Sequence, residues 1–307
     1  MNIKITYHIM PWEIDYALLS FTQLKKSKYH LSEDVNVIID SVLNLSSYSV
    51  NWEESKLPKE YFIEKYNTIS MLLCDYNHNK KIYEGDKLYG HLNLQRECIE
   101  DEIDYYISIC PDMYFSEYLL HYLIESTKQI TNKYFVITPQ ICKFWDNSWD
   151  IITNSQYLDI KNEDWYKSDV FDVDYNNKHS QQDVNLKPLD SSKFAGWFDL
   201  YNKAFYEELC PLQEDWEGYG GWDLYSLITI NYIKQQGVDF MQYNLQGETI
   251  FEYSVGPLFG KDRDGFSKYY KNLLVTKNTN EQRQSFESKI QEYVSKNIKQ
   301  LKEKNIL

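Results

Sequence analysis

The residues whose types and spacing are best suited to chemistry lie in one stretch, Glu214-Asp215-Trp216-Glu217-Gly218-Tyr219-Gly220-Gly221-Trp222-Asp223. Gly218, Gly220 and Gly221 make a backbone that can take positive φ and let a ligand come close. Acids flank that turn, and Trp216, Tyr219 and Trp222 stand in or beside it. The segment Leu224 to Ile233 reads as a helix that stops at Gly237, which places Asp223 in its first turn, where the macrodipole favours an ionised carboxylate. A fixed acid beside a glycine floor and aromatic walls suits binding a polyol and taking a proton from one of its hydroxyls. Asp223 is the first candidate base, with Asp215 and Glu214 as alternatives. The same residues also fit a plain loop followed by a helix N-cap.

The elements that must position this stretch follow from periodicity. Ile3 to Ile9 alternates and is β-rich, and Ile14 to Lys26 has helical spacing. Val35-Asn36-Val37-Ile38-Ile39-Asp40 has the pattern of a buried parallel strand that delivers Asp40 to its C-terminal edge. Strand, helix and strand make a βαβ unit, and such sheets bind ligands beyond the carboxyl ends of their strands. Thr68 to Asp75 reads as a third strand or as helix, and residues 85–102 move from loop to a helix with Asn93 and Arg96 near its start. Asp104 to Asp112 is the clearest buried strand, ended by Pro111 and Asp112, with Ser116 capping a helix over Glu117 to Ile130. Lys133 to Pro139 is the next strand, followed by a Trp-Asp repeat at Trp145-Asp146 and Trp149-Asp150. Phe194 to Leu209 reads as helix, Val238 to Tyr243 as strand, and further turns fall within 246–272. Thr279 is a candidate cap for a closing amphipathic helix with Phe286, Ile290, Val294, Ile298 and Leu301 on one stripe.

Composition narrows the classes. The chain has 307 residues, and its formal charge of −14 argues against a nucleic-acid partner, because neutralising phosphates takes clustered Lys and Arg. It leaves room for a nucleotide whose phosphates are bridged by a divalent cation. Aromatics reach 16%, with 28 tyrosines, which suits sugars and nucleobases but also follows from AT-rich coding bias. The five cysteines are scattered without a CxxC pair, pointing to reduced thiols rather than a disulfide or zinc framework. No apolar run of 18 residues and no signal-type N-terminus is present, so the expected setting is soluble and cytoplasmic.

Taken in order, Val37-Ile38-Ile39-Asp40-Ser41, the strand from Tyr105 to Asp112, and Gly218-Tyr219-Gly220-Gly221-Trp222-Asp223 resemble the GT-A glycosyltransferases, in particular the family-2-like and galactosyltransferase-type enzymes. The resemblance spans roughly residues 3 to 245 and implies a Rossmann-like mixed α/β sheet flanked by helices, with the C-terminal amphipathic helix added. It implies a nucleotide-sugar-binding half at 1–159, a loop or flap at 160–193, an acceptor-side half of the same domain at 194–275, and the closing helix at 276–307. By the same resemblance Asp40 contacts the donor base, and Asn93 and Arg96 sit near the donor. Asp112 holds Mn²⁺ or Mg²⁺ on the diphosphate, and Asp223 deprotonates the acceptor hydroxyl with inversion. Trp222, Tyr219, Trp145 and Trp149 become sugar-stacking faces. The implied partners are a nucleotide sugar, a UDP-sugar first among them, and a glycan or other hydroxyl acceptor, with a modified DNA base as an outlying alternative.

Two departures stand out. The metal motif reads Cys110-Pro111-Asp112, so its first acid is missing, and all six histidines lie at or before His179, so none follows the Gly-rich turn. A further acid such as Glu252 would have to complete the cation shell, or metal dependence is weak. Two other classes therefore stay open, a glycoside hydrolase using two carboxylates and a non-catalytic carbohydrate-binding protein on a degenerate transferase fold.

Overall fold

The computed structural model describes residues 1–55, 57–143, 184–192, 194, 198–213, 222–252 and 276–307. The alternating run at the start forms β1 (Asn2–Ile9), and the helical spacing after Pro11 forms α1 (Ile14–Ser27). The chain returns as β2 (Asn36–Asn44), parallel to β1, so the βαβ unit is present. Then follow α2 (Lys59–Ser70), β3 (Asn77–Tyr83), α3 (His91–Glu97), β4 (Tyr105–Ile109), β5 (Met113–Tyr114) and α4 (Leu119–Thr127). The remaining strands are β6 (Tyr134–Lys143), β7 (Asn185–Pro188), β8 (Phe198–Asn202) and β9 (Phe240–Glu252). Two helices complete the chain, α5 (Trp222–Gln235) and α6 (Thr276–Glu303).

One sheet of nine strands runs in the order β3-β2-β1-β4-β8-β6-β9-β5, with β7 also on β9. The parallel 3-2-1-4 portion is the first half of a doubly wound sheet. β8 then runs antiparallel between β4 and β6, while β6 and β9 are parallel to each other. The fold class is thus the expected Rossmann-like mixed α/β sheet flanked by helices.

The two faces of the sheet are chemically unlike. Ile3, Ile5, Tyr7 and Ile9 of β1 point with Val37, Ile39 and Leu43 of β2 into an apolar core shared with Ala17, Phe21, Leu24, Phe62, Leu120 and Leu123 from α1, α2 and α4. The opposite face is covered by α3, α5 and α6, around a core of Tyr106, Tyr201, Phe205, Tyr206, Trp222, Ile230, Ile290 and Leu301. Tyr7, Tyr66, Tyr201, Tyr225 and Tyr293 are among the largest fully buried side chains, so much of the tyrosine excess is core rather than ligand surface.

Several sequence expectations are corrected. Of the two readings of Thr68 to Asp75, strand or helix, the structure has the helical one, as the end of α2 and a turn over Met71–Leu73. The third strand is instead the polar segment Asn-His-Asn-Lys-Lys of β3, a charged sheet edge that hydrophobic patterning does not reveal. Phe194 to Leu209 is not a helix: β8 occupies Phe198–Asn202, with a π-helical turn at Phe205–Leu209. The reason is the period-2 alternation of Phe198 and Leu200 against Asp199 and Tyr201, which fits a strand enclosed between two others. Asp40 does not end β2, because the strand continues for four residues to Asn44. Thr279 lies inside α6, which begins at Thr276.

The stop expected at Gly237 is present. Its φ of 82° is open to glycine, and the amides of Gly237 and Val238 bond back to the carbonyls of Lys234 and Ile233 at 3.1 and 3.2 Å. Among the described residues no helix is long and apolar enough to cross a membrane.

Candidate active site

On the face beneath α3 the strand registers bring seven polar residues into one row. From β3 to β9 they are Asn79, Asp40, Thr6, Ser108, Asp199, Thr138 and Asn244. No linear motif announces this row, because each strand contributes a single residue and only pairing lines them up.

At one end of the row sits Asp40, 8% exposed. Asn79 Nδ2 donates to its Oδ1 at 2.6 Å, and Lys4 Nζ pairs with its Oδ2 at 2.9 Å. Burial pushes this carboxyl up, but the bonds from Lys4, Cys98 and Asn79 outweigh it and hold the pKa below its ordinary value. Lys4 is itself only 1% exposed and reaches Glu100 at 2.8 Å as well. Burial pulls the lysine down, while Glu100 and Asp40 more than compensate and raise it. Asp40 is therefore an internal anchor with both oxygens engaged within the protein.

The middle of the row is tied to α3. Gln95 Nε2 donates to Ser108 Oγ at 2.5 Å, and Tyr206 Oη donates to Gln95 Oε1 at 3.1 Å. Asn93 accepts from the Gly90 amide at 2.9 Å through Oδ1 and so fixes the start of α3. Arg96 Nη1 donates to the carbonyl of Gln213 at 3.1 Å. Trp222 Nε1 donates to the Cys210 carbonyl at 3.4 Å, and Tyr225 Oη to that of Pro211 at 3.3 Å. Three side chains thus grip the segment that leads into the Gly-rich turn.

Asp199 and Asp223 form the other end of the site. Asp199 is 2% exposed and lies beside Thr138, and Tyr201 Oη donates to its Oδ2 at 2.9 Å. Burial raises its pKa to about 6 despite the lowering bonds from Thr138 and Tyr201. Asp223, partly exposed in the first turn of α5, is pushed from 3.8 to about 7, first by burial and then by the charge of Asp199. The helix dipole contributes only about 0.3–1 kcal/mol in favour of the anion, whereas one pKa unit is about 1.4 kcal/mol. The dipole argument from sequence is therefore outweighed by desolvation.

The remaining candidates are placed as follows. Trp222 is 4% exposed and packs edge-on to Tyr201 at 5.1 Å, so it is a core residue rather than an open stacking face. Asp112 is buried at 6% in the turn between β4 and β5. Among the described residues no three His, Cys, Asp or Glu side chains converge as a cation site. Asp112 alone does not make one. Asp215, Tyr219, Trp145 and Trp149 lie outside the described residues, as does the rest of the Gly-rich turn from 214 to 221.

The structure places Asp40, Asn93 and Arg96 at or beside α3 and Asp223 in the first turn of α5, and it adds Asp199, which sequence reading passed over. The available signal was the alternation in Phe198-Asp199-Leu200-Tyr201, hidden by assigning the segment to a helix. Glu248 was also missed. It is 4% exposed beside the bulge in β9, accepts from Ser116 Oγ at 2.7 Å, and is raised to about 7 by burial.

The fold is a Rossmann-like α/β sheet, with partly exposed Asp223 in the first turn of α5 and buried Asp199 acting on it through its charge. No protein-family profile matches the sequence, and no curated protein matches it. Among solved structures the chain is similar to S. aureus TarS 1-349 at 10% identity and a TM-score of 0.43, over 82% of this chain and 60% of that one. The same TarS fragment in complex with UDP-GlcNAc gives 10% identity and a TM-score of 0.44, over 86% and 60%. GalNAc-T7 with UDP, GalNAc and Mn2+ gives 10% and 0.45, over 83% and 44%. The chain thus spans about 60% or less of these structures. Likenesses this distant carry no inference about activity, and the fold class rests on the sheet itself.

Proposed function

We propose that the protein is a glycosyltransferase that moves a sugar from a nucleotide-sugar donor, a UDP-sugar first among them, to an acceptor hydroxyl with inversion. The observation that carries this reading is Asp223: a partly exposed carboxyl at the start of α5, following the Gly-rich turn, with its pKa near 7. A general base works best when its pKa is close to the operating pH, and carboxylates perturbed in this way cluster at functional sites. The donor lies beyond the carboxyl ends of β1, β2 and β4, in the half of the chain at 1–159, with Asp112, Asn93 and Arg96 on its side. The segment 194–275 serves the acceptor, with Asp215 as the alternative base and Tyr219 as a stacking face, joined by Trp145 and Trp149 from the end of the first half. Any Mn²⁺ or Mg²⁺ would assist departure of the diphosphate, with Asp112 as one ligand.

The acceptor hydroxyl gives its proton to the Asp223 carboxylate as its oxygen bonds to the anomeric carbon. The bond from that carbon to the diphosphate oxygen breaks, and the nucleoside diphosphate leaves with the electron pair. A hydrolase using Asp199 and Asp223 as its two carboxylates is disfavoured, because Asp199 is too deeply buried to meet a substrate.

The test is thermal shift against UDP-, GDP-, CMP- and dTDP-sugars with and without Mn²⁺, followed by turnover of the donor that binds. A donor at about 100 times its Kd should stabilise the fold by about 2.7 kcal/mol. Absence of any shift on folded protein, or cleavage of an aryl glycoside without a nucleotide sugar, would overturn the reading.

A further inference from the structure

Asp199 is a buried acid that the reaction above leaves without a task. It faces Ser108 across the β4–β8 pair, its Oδ2 accepts from Tyr201 at 2.9 Å, and Thr138 is hydrogen-bonded to the same carboxyl. The ring of Tyr201 meets Trp222 edge-on at 5.1 Å, and Trp222 immediately precedes Asp223. One rigid aromatic contact therefore connects the strand that holds Asp199 to the first turn of α5.

Among the described residues the other shifted groups in this neighbourhood are tyrosines and cysteines held neutral by burial. Burial pushes Tyr201 of β8, Tyr206 of the π-helical turn and Tyr106 of β4 upward, and it does the same to Cys98 beyond α3 and to Cys210. Arg96 Nη1 is directed at the Gln213 carbonyl. Among the described residues acting on Asp223, Asp199 is the one whose charge varies between pH 5 and 8.

We propose that Asp199 is a positioning residue for the base: held by Tyr201 in the polar row below the start of α5, it sets the field in which Asp223 receives the acceptor's proton. This rests on the transferase reading. As the acceptor O–H bond breaks, the proton forms a new bond to an Asp223 oxygen, and the anionic charge of Asp199 stabilises it there. After the product leaves, the proton passes to solvent, and no other group is consumed.

The experiment is a titration of the full chain labelled with ¹³Cγ-aspartate, wild type against Asp199→Asn, alongside the pH profile of nucleotide-sugar turnover. The Asp223 carboxyl should titrate near pH 7 in the wild type and fall by about one unit in Asp199→Asn, as for a coupled pair. The acid limb of kcat should move down with it, while KM for the donor stays put. An Asp223 midpoint that does not move would overturn the proposal and leave the transferase reading intact. A midpoint that moves, in a protein that turns over no nucleotide sugar, would retain the coupling and overturn the reaction. Should Asp199→Asn fail to fold, Asp223→Asn serves instead. Coupling is reciprocal, so the Asp199 midpoint should drop by a similar amount, and an unmoved one overturns the proposal.

Discussion

Two acidic sites share one face of the sheet and behave in opposite ways. Asp40 is matched by a buried lysine and an amide, and its pKa is held below the ordinary carboxylate value. Among the described residues Asp199 and Asp223 have no such cation, and theirs rise to about 6 and about 7. Burial alone would raise all three. The partner decides the sign: a paired carboxylate becomes structure, and an unpaired one keeps a proton that can be exchanged near neutrality. The pH slopes follow. Stability contributed by Asp40 is present above its unfolded pKa and is lost as pH falls through its lowered folded value. Stability tied to protonated Asp199 and Asp223 is present below their unfolded pKa and is lost as pH rises through about 6 and about 7.

The largest effect that separates the two sites is chemical. Asp223→Asn should lower donor turnover by about 10²–10⁴-fold while the donor's thermal shift persists. A matching loss in Asp40→Asn, with donor binding intact, would erase the distinction. In the wild type, turnover should climb with pH through about 7 as the base ionises, which a pH–rate profile reads directly.

Next comes the anchor. Lys4→Met strips Asp40 of its cation and should cost about 3–5 kcal/mol in urea unfolding, because it leaves a buried charge poorly compensated. Adding Asp40→Leu should return most of that loss. If the single variant unfolds like the wild type, the pair is not buried as described.

A smaller effect depends on pH. Asp199→Asn should be more stable than the wild type at pH 8 by about 1–3 kcal/mol, since it removes a buried anion, and near parity at pH 5. A difference independent of pH would mean that Asp199 is neutral throughout. The smallest belongs to Lys81 and Glu97, 2.9 Å apart at the same joint of sheet and α3 but about half exposed. Lys81→Ala should change stability by only about 0.2–1 kcal/mol, an effect that fades in salt. A cost as large as that of Lys4→Met would show that burial is not what separates them.

Legibility in the sequence differed by element. β1 was readable from its alternation, α1 from its helical spacing, and β2 and β4 because strands covered on both faces concentrate apolar residues, and the glycine stop after α5 follows from local backbone chemistry. β3 was hidden by its polar edge composition, and β8 by a segment that fits helix until its neighbours are known. Asp40 was recognised as an acid at a strand but misplaced at its end, because sequence does not show how far β2 continues beside β1. Asp223 was found through its turn, whereas Asp199 needed the pairing of β8 with β4.

The sequence by itself determined the α/β class, the first βαβ unit, the acidic balance and the helix that begins at the Gly-rich turn, since these depend on periodicity and local propensity. Only the tertiary structure decided which acids are charged. Lys4 stands far from Asp40 in the chain and adjacent in the sheet, and Asp199 and Asp223 sit on different elements. A carboxyl's protonation depends on the water it loses and the charges it meets, and both are set by what folding brings within a few ångströms.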